Sequence, residues 1–295
     1  MGQSQLKLFM KEYNEQLQNE LKNYISTLNA PEILKSAMDY SLQAGGKRIR
    51  PILLFATLQA FHQDPKKGLE TALALEMIHT YSLIHDDLPS MDDDDLRRGK
   101  PTNHKVFGEG YAILAGDALL TYAFQIIAQT PHYEDHLKVK LIEWLAKGAG
   151  PEGMVGGQVA DIEGETKNLT LEELQNVHKN KTGKLLAYGI LAGAMIAEAT
   201  AQQLEILQQF ASHLGIAFQI KDDILDVEGD EAKIGKKVGS DSAKDKSTYP
   251  SLLSLDGAKE KLQYHIQEAT KALNKTGLET DLLQEMVTLI ATRES

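Results

Sequence analysis

The sequence predicts an all-α fold, a bundle of long helices, on three observations. Apolar residues recur every three or four positions along most of the chain. Alternating apolar and polar residues, the mark of strands, are almost nowhere to be found. Helix-opening residues stand where several of the periodic stretches begin.

The elements follow in order. Leu6, Phe9, Tyr13, Leu17, Leu21, Ile25 and Leu28 share one stripe of a first helix. Pro51 fits the first turn of a helix running through Ile52 to Phe55, where its missing N–H costs nothing. A third apolar helix runs from about Leu69 to His85, and Pro89 stops it soon after. Helical patterns also cover 102–129, 134–148 and 258–275. Thr170 with Glu173, and Thr200 with Gln203, have the spacing of capping boxes. The second of these helices carries Leu204, Leu207, Phe210, Leu214 and Phe218 toward Asp222. The polar stretch Glu228 to Thr248 is a loop, and a loop of that length in a compact domain is usually functional or disordered. No repeat divides the chain, so one domain over 1–295 is expected.

Composition narrows the function. With no cysteine there are no disulfides, zinc–thiolate sites or Cys nucleophile, which suits a reducing cytosol. The N-terminus lacks the basic head and apolar core of a signal peptide. Leu185 to Ala197 is apolar but shorter than the roughly 20 residues that span a bilayer. A cytoplasmic protein without stable membrane insertion is therefore expected. A net charge of −11 argues against nucleic-acid binding.

The placement of charge says more. His85-Asp86-Asp87-Leu88-Pro89-Ser90-Met91-Asp92 closes one apolar helix, and Asp222-Asp223-Ile224-Leu225-Asp226 lies toward the end of another. Asp222 and Asp226, four apart, share a helical face. Asp86 and Asp92 converge only if the chain turns at Pro89. Carboxylates gathered on apolar helices repel unless a counter-charge is supplied. Mg²⁺ supplies it, typically taking one or two carboxylates plus substrate phosphates. An EF-hand is excluded, because Leu96 stands at the fifth loop position counted from Asp92 as the first, and the required glycine and glutamate are misplaced.

The chain resembles short-chain trans-prenyl diphosphate synthases along nearly its whole length. The matching blocks are GGKRIRP (45–51), EMIHTYSLIHDDLPSMDDDDLRRGKPT (76–102), LAGDALL (114–120), GGQ with Asp161 (156–161), KTGKL (181–185), FQIKDDILD (218–226) and GKKVGSD (235–241). The resemblance implies the isoprenoid synthase fold, helices around a deep apolar cavity, usually as a homodimer. It implies a Mg²⁺-dependent prenyltransferase that joins isopentenyl diphosphate to dimethylallyl or geranyl diphosphate, with the farnesyl compound as product. Three Mg²⁺ per site are expected, with Mn²⁺ as a substitute, bound by Asp86 and Asp92 and by Asp222 with Asp226 near it. Arg97, Lys181 and Lys236 would hold the allylic diphosphate, and Lys47, Arg50, His79 and Arg98 that of isopentenyl diphosphate. Thr182, Gln219 and the backbone near Lys181 would face the cation, with Phe218 along the isopentenyl tail. The 228–248 loop would act as a lid.

Tyr81 lies about 7.5 Å along the helix axis from Asp86. Its ring, with the two extra residues Pro89 and Ser90, is the feature that goes with a C15 product in bacterial relatives. The C-terminus departs from those relatives that end in a basic segment, since only Arg293 could serve, and no role is expected for it. The competing readings are a geranylgeranyl or longer-chain synthase, a terpene cyclase, and a non-catalytic helical subunit. A cyclase normally carries Asn, Ser or Thr with Glu in its second motif, which Asp222 to Asp226 does not match.

Overall fold

The computed structural model describes residues 4–229 and 246–293. Lys236, the GKKVGSD block and most of the expected lid lie outside the described residues. The described chain is helical almost throughout. Its helices are α1 Gln5–Ser26, α2 Glu32–Leu42, α3 Ile49–Ala60, α4 Leu69–Asp86, α5 Asn103–Phe107, α6 Glu109–Gln129 and α7 Asp135–Ala149. They continue with α8 Met154–Gly164, α9 Leu171–His178, α10 Lys184–Ile196, α11 Ala201–Glu228, α12 Tyr249–Asn274 and α13 Asp281–Thr292.

The stripe on α1 is buried as the spacing predicts, with Leu17 and Leu21 wholly covered. Each such leucine contributes about 1.5–3 kcal/mol. Both capping boxes form: Thr170 N donates to Glu173 at 2.7 Å, and Thr200 N to Gln203 at 3.0 Å. Helix α3 is buried on nearly every face. It sits so close to α10 that a Cβ at Gly189 would lie 2.6 Å from Arg50 O, and one at Gly193 2.7 Å from Leu54 O. Only glycine permits that approach. A second, smaller apolar cluster of Leu174, Ile216, Ile220, Ile224 and Tyr249 locks α12 onto α11.

Two expected helices differ in extent. The 102–129 pattern is split at Gly108, whose φ of 90° ends α5 before α6 begins. The 258–275 pattern belongs to α12, which starts earlier and is bent at Ser254, φ 71°. Periodicity registers which residues face the core, and a single left-handed residue leaves it unchanged. Among the described residues, α6 alone is long and apolar enough to cross a membrane by those criteria. One side of it packs on the core through Ala115 and Leu119, while Tyr111, Ile113 and Leu114 are exposed.

Candidate active site

The first aspartate motif is built by the turn its proline imposes. Helix α4 ends at Asp86, and the Asp92 backbone N–H returns to Asp86 O at 2.9 Å. The two residues are thereby brought together. Partial burial pushes the Asp86 carboxyl up to about 6, with Lys181 lowering it and Asp92 raising it. Asp87 points elsewhere. It is buried and receives Arg97, with Nε at 2.7 Å and Nη2 at 2.5 Å from Oδ1. Asp94 adds a contact to the same guanidinium at 3.6 Å.

Arg97 and Arg98 sit on a feature the sequence reading missed. Leu96–Arg97 and Lys100–Pro101 pair as a two-residue antiparallel ladder, turned by Arg98 and Gly99 with φ of 54° and 74°. Two positive-φ residues make a tight hairpin, which a basic Arg-Gly pair does not advertise. The Arg98 guanidinium then donates to Gly45 O and lies against Gly46, where a Cβ would meet it at 2.6 Å.

The run Lys47 to Arg50 is sorted by a left-handed residue. Arg48 has φ 51° and is buried, with Nη1 2.5 Å from the buried Glu76 and Nη2 donating to Leu42 O. This pair pins the loop before α3, and Lys47 and Arg50 both line one cavity. Arg50 Nη1 lies 3.3 Å from His79 Nε2. Desolvation, then the charge of Arg50, holds His79 well below the ordinary range, so the ring is neutral.

Lys181 and Thr182 ride on a π-helical turn, Lys179–Gly183. Such turns are rare and occur frequently at functional sites. The turn is clamped on two sides: a Cβ at Gly157 would lie 2.2 Å from Lys181 N, and one at Gly215 3.0 Å from Gly183 Cα. Lys181 Nζ is held 2.6 Å from Asp161. The GGQ block therefore acts by positioning Lys181.

In the second motif the aspartates divide by helical angle. Asp223 is buried and accepts the Tyr249 N–H at 2.9 Å, tying α12 to α11. Asp222 lines the cavity and meets Arg293 at 2.7 Å. Asp226 is buried one turn on, and neither it nor Asp92 lines the two cavities described next. Arg293, for which no role is expected from the sequence, folds back onto this motif. Its Nη2 donates to Phe218 O at 2.8 Å, and its guanidinium stacks 4.0 Å over the Phe218 ring. A lone arginine near a chain end carries no pattern, and only its fold-back gives it a place.

These residues surround two adjoining cavities. One, of about 680 Å³, is basic and holds Lys47, Arg50, His79, Arg97, Arg98 and Arg293 beside Phe218, Gln219 and Asp222. The other, of about 550 Å³, is mainly apolar and runs beneath Asp86 between Tyr81, Met154, Val159 and Leu185. They share Arg50, His79, Leu83 and Thr182. Residues 31–288 match the family described as polyprenyl synthetase. The chain belongs to the polyprenyl synthetase family. It is 57% identical to the farnesyl diphosphate synthase of Geobacillus stearothermophilus, covering 100% of both chains. Solved structures agree. One is the geranylgeranyl pyrophosphate synthetase of Pyrococcus horikoshii, with a TM-score of 0.89, 31% identity and 98% of each chain covered. Another is a Helicobacter pylori geranyltransferase complexed with magnesium and isoprenyl diphosphate, with a TM-score of 0.84 and 34% identity, covering 98% of this chain and 97% of that one.

The carboxylates of this polyprenyl synthetase suit a hard cation. Among the described residues no three His, Cys, Asp or Glu side chains converge tightly enough to hold a metal unaided. Mg²⁺ typically takes one or two carboxylates and completes its shell with waters and substrate phosphates.

Proposed function

We infer that this chain, as one domain over 1–295, is a farnesyl diphosphate synthase that condenses isopentenyl diphosphate with dimethylallyl or geranyl diphosphate. The observation that carries the reading is the pair of cavities, one basic and one apolar, meeting at Arg50, His79, Leu83 and Thr182. A condensation of two diphosphates needs two anion-binding regions and a single dry place where the reacting carbons meet.

The basic cavity takes isopentenyl diphosphate on Lys47, Arg50, Arg98 and neutral His79, with its tail along Phe218. Arginine suits the task because its planar fork donates two parallel hydrogen bonds to phosphate. The apolar cavity takes the allylic chain, with its diphosphate at Asp86 and Asp92 and across to Asp222, near Asp226. Asp86 and Asp92, with Asp222 and Asp226, would hold the three Mg²⁺ expected of the site, which when bound would supply positive charge to the departing diphosphate. Arg97 and Lys181 add fixed positive charge, oriented by Asp87 and Asp161. As the allylic C–O bond breaks, Thr182 and Gln219 present dipoles to the carbocation. The isopentenyl double bond attacks it, and the proton then lost passes to the released diphosphate. The aliphatic walls keep water from quenching the cation. Lys236 belongs to the same allylic diphosphate set.

Buried Tyr81 lines the apolar cavity, five residues before Asp86 on α4. A packed ring there leaves no room for a further five-carbon unit, which supports C15 as the endpoint. Tyr111 and Leu114 of α6, exposed and lining neither cavity, support a homodimer. Incubating the protein with Mg²⁺, geranyl diphosphate and labelled isopentenyl diphosphate, then sizing the product, tests the function. A C15 diphosphate is expected. A C20 or longer product, a cyclic hydrocarbon or no product would each overturn it. Sedimentation of the same sample tests the dimer.

A further inference from the structure

A third cavity, of about 370 Å³, lies on the far side of the π-helical turn from Thr182, between α7, α10 and α11. Its lining includes both ends of that turn, Lys179 and Gly183. Lys147, Lys179 and Lys184 converge on it, against the single carboxylate of Glu143. This gathering of positive charge is notable in a chain of net charge −11. Lys147 has a loose ion pair with Glu152 at 3.8 Å, while Lys179 and Lys184 form none among the described residues. Burial, then the charges of Lys179 and Lys147, depress the Lys184 ammonium below its ordinary range. Burial is the larger cause, and the neighbouring ammonium groups add to it more than Glu152 offsets. Beside the lysines are Trp144, 38% exposed, and the apolar Ala187 and Leu191. Three cations next to an indole and aliphatic side chains match an anionic head on an apolar tail.

We propose that this cavity is a second binding site for an apolar-tailed diphosphate, the class of molecule the active site makes, and that it acts on catalysis through the π-helical turn. The lysines take the diphosphate, and Trp144 with Leu191 takes the first units of the tail. Occupancy then restrains Lys179 and Gly183, the residues from which Lys181 and Thr182 are suspended. The choice of ligand rests on the farnesyl diphosphate synthase reading, since that reaction supplies the compound locally.

Trp144 is the only tryptophan in the chain, so its fluorescence reports on this cavity directly. The protein is titrated in chelator, where metal-dependent binding at the aspartates is suppressed, with farnesyl diphosphate, inorganic diphosphate and farnesol. Farnesyl diphosphate should give a saturable blue shift of Trp144, and the other two should bind at least tenfold more weakly. Lys184→Gln and Lys147→Gln should each weaken the farnesyl diphosphate response about tenfold or more. Both should keep the initial condensation rate while losing inhibition by added product. No Trp144 response, a response unchanged in both variants, or equal binding of inorganic diphosphate or farnesol would overturn the second site. Condensation is assayed on the same preparation: absence of any product sinks the functional reading itself, whereas product without a Trp144 response sinks only this inference.

Discussion

The guanidinium of Arg293 lies 2.7 Å from the Asp222 carboxylate, joining the end of the chain to the start of the second aspartate motif. Its side chain is 8% exposed and stacks on Phe218 inside the basic cavity. Arg293→Ala should therefore raise KM for isopentenyl diphosphate about 10-fold or more, as loss of a charged hydrogen bond costs roughly 1.5–3 kcal/mol. KM for geranyl diphosphate should shift as well, because Arg293 also holds Asp222. Steady-state kinetics with each substrate varied checks this, and an unchanged isopentenyl KM would return the tail to an inert role.

Neighbouring basic residues should fail in different ways. Arg48 is buried against Glu76, so Arg48→Ala strands a buried carboxylate and should lower unfolding free energy by about 3–5 kcal/mol. Lys47 is exposed to the cavity, and Lys47→Ala should leave stability nearly unchanged while weakening isopentenyl diphosphate. Denaturant melts paired with kinetics separate the two, and equal stability losses would contradict the division.

Metal dependence should be absolute. Asp86→Ala or Asp222→Ala should each cut kcat by several orders of magnitude, because the charge removed acts mainly in the transition state. Near-normal turnover in chelator, or in either variant, would refute the assignment.

Product length should follow the ring that lines the apolar cavity. Tyr81→Ala removes a buried aromatic and should shift product toward C20 or longer while condensation continues. Chromatography of the dephosphorylated products reads this directly. A clean C15 product would mean another residue sets the length.

Stability should fall in mild acid. Burial holds His178 at about 4 and His265 at about 4, both depressed below the usual 6.5. Between these values each of the two histidines binds its proton more readily in the unfolded chain, so the stability they contribute is fully present above pH 6.5 and declines toward pH 4, outweighing the opposite trend of the raised Asp86 carboxyl. For His178 the loss amounts to about 2–3 kcal/mol. Urea melts from pH 7 to 4 should show the decline, and His178→Asn should flatten it. An identical slope in that variant would exclude His178 as the source.

Several features were legible in the order of residues. The helical class came from spacing, since a 3.6-residue repeat of apolar side chains is a local property. Capping at Thr170 and Thr200 was equally local, with donor and acceptor three residues apart. The turn at Pro89 followed from one ring that cannot continue a helix. The aspartates and lysines were identified as chemical groups in the same way.

What the sequence could not supply is which of them face one another. Asp86 and Asp87 are adjacent, yet one lines a cavity and the other is buried on Arg97. Lys47 and Arg48 divide likewise, because a left-handed backbone and Glu76, 28 residues away, draw only Arg48 inward. The hairpin at Arg98, the clamp on the π-helical turn and the return of Arg293 are all contacts between distant parts of the chain. The sequence by itself determined the helices and the chemistry they carry, because both depend on near neighbours. Only the tertiary structure decided which charges share a cavity, because that depends on how packed helices bring together residues as far apart as Asp222 and Arg293.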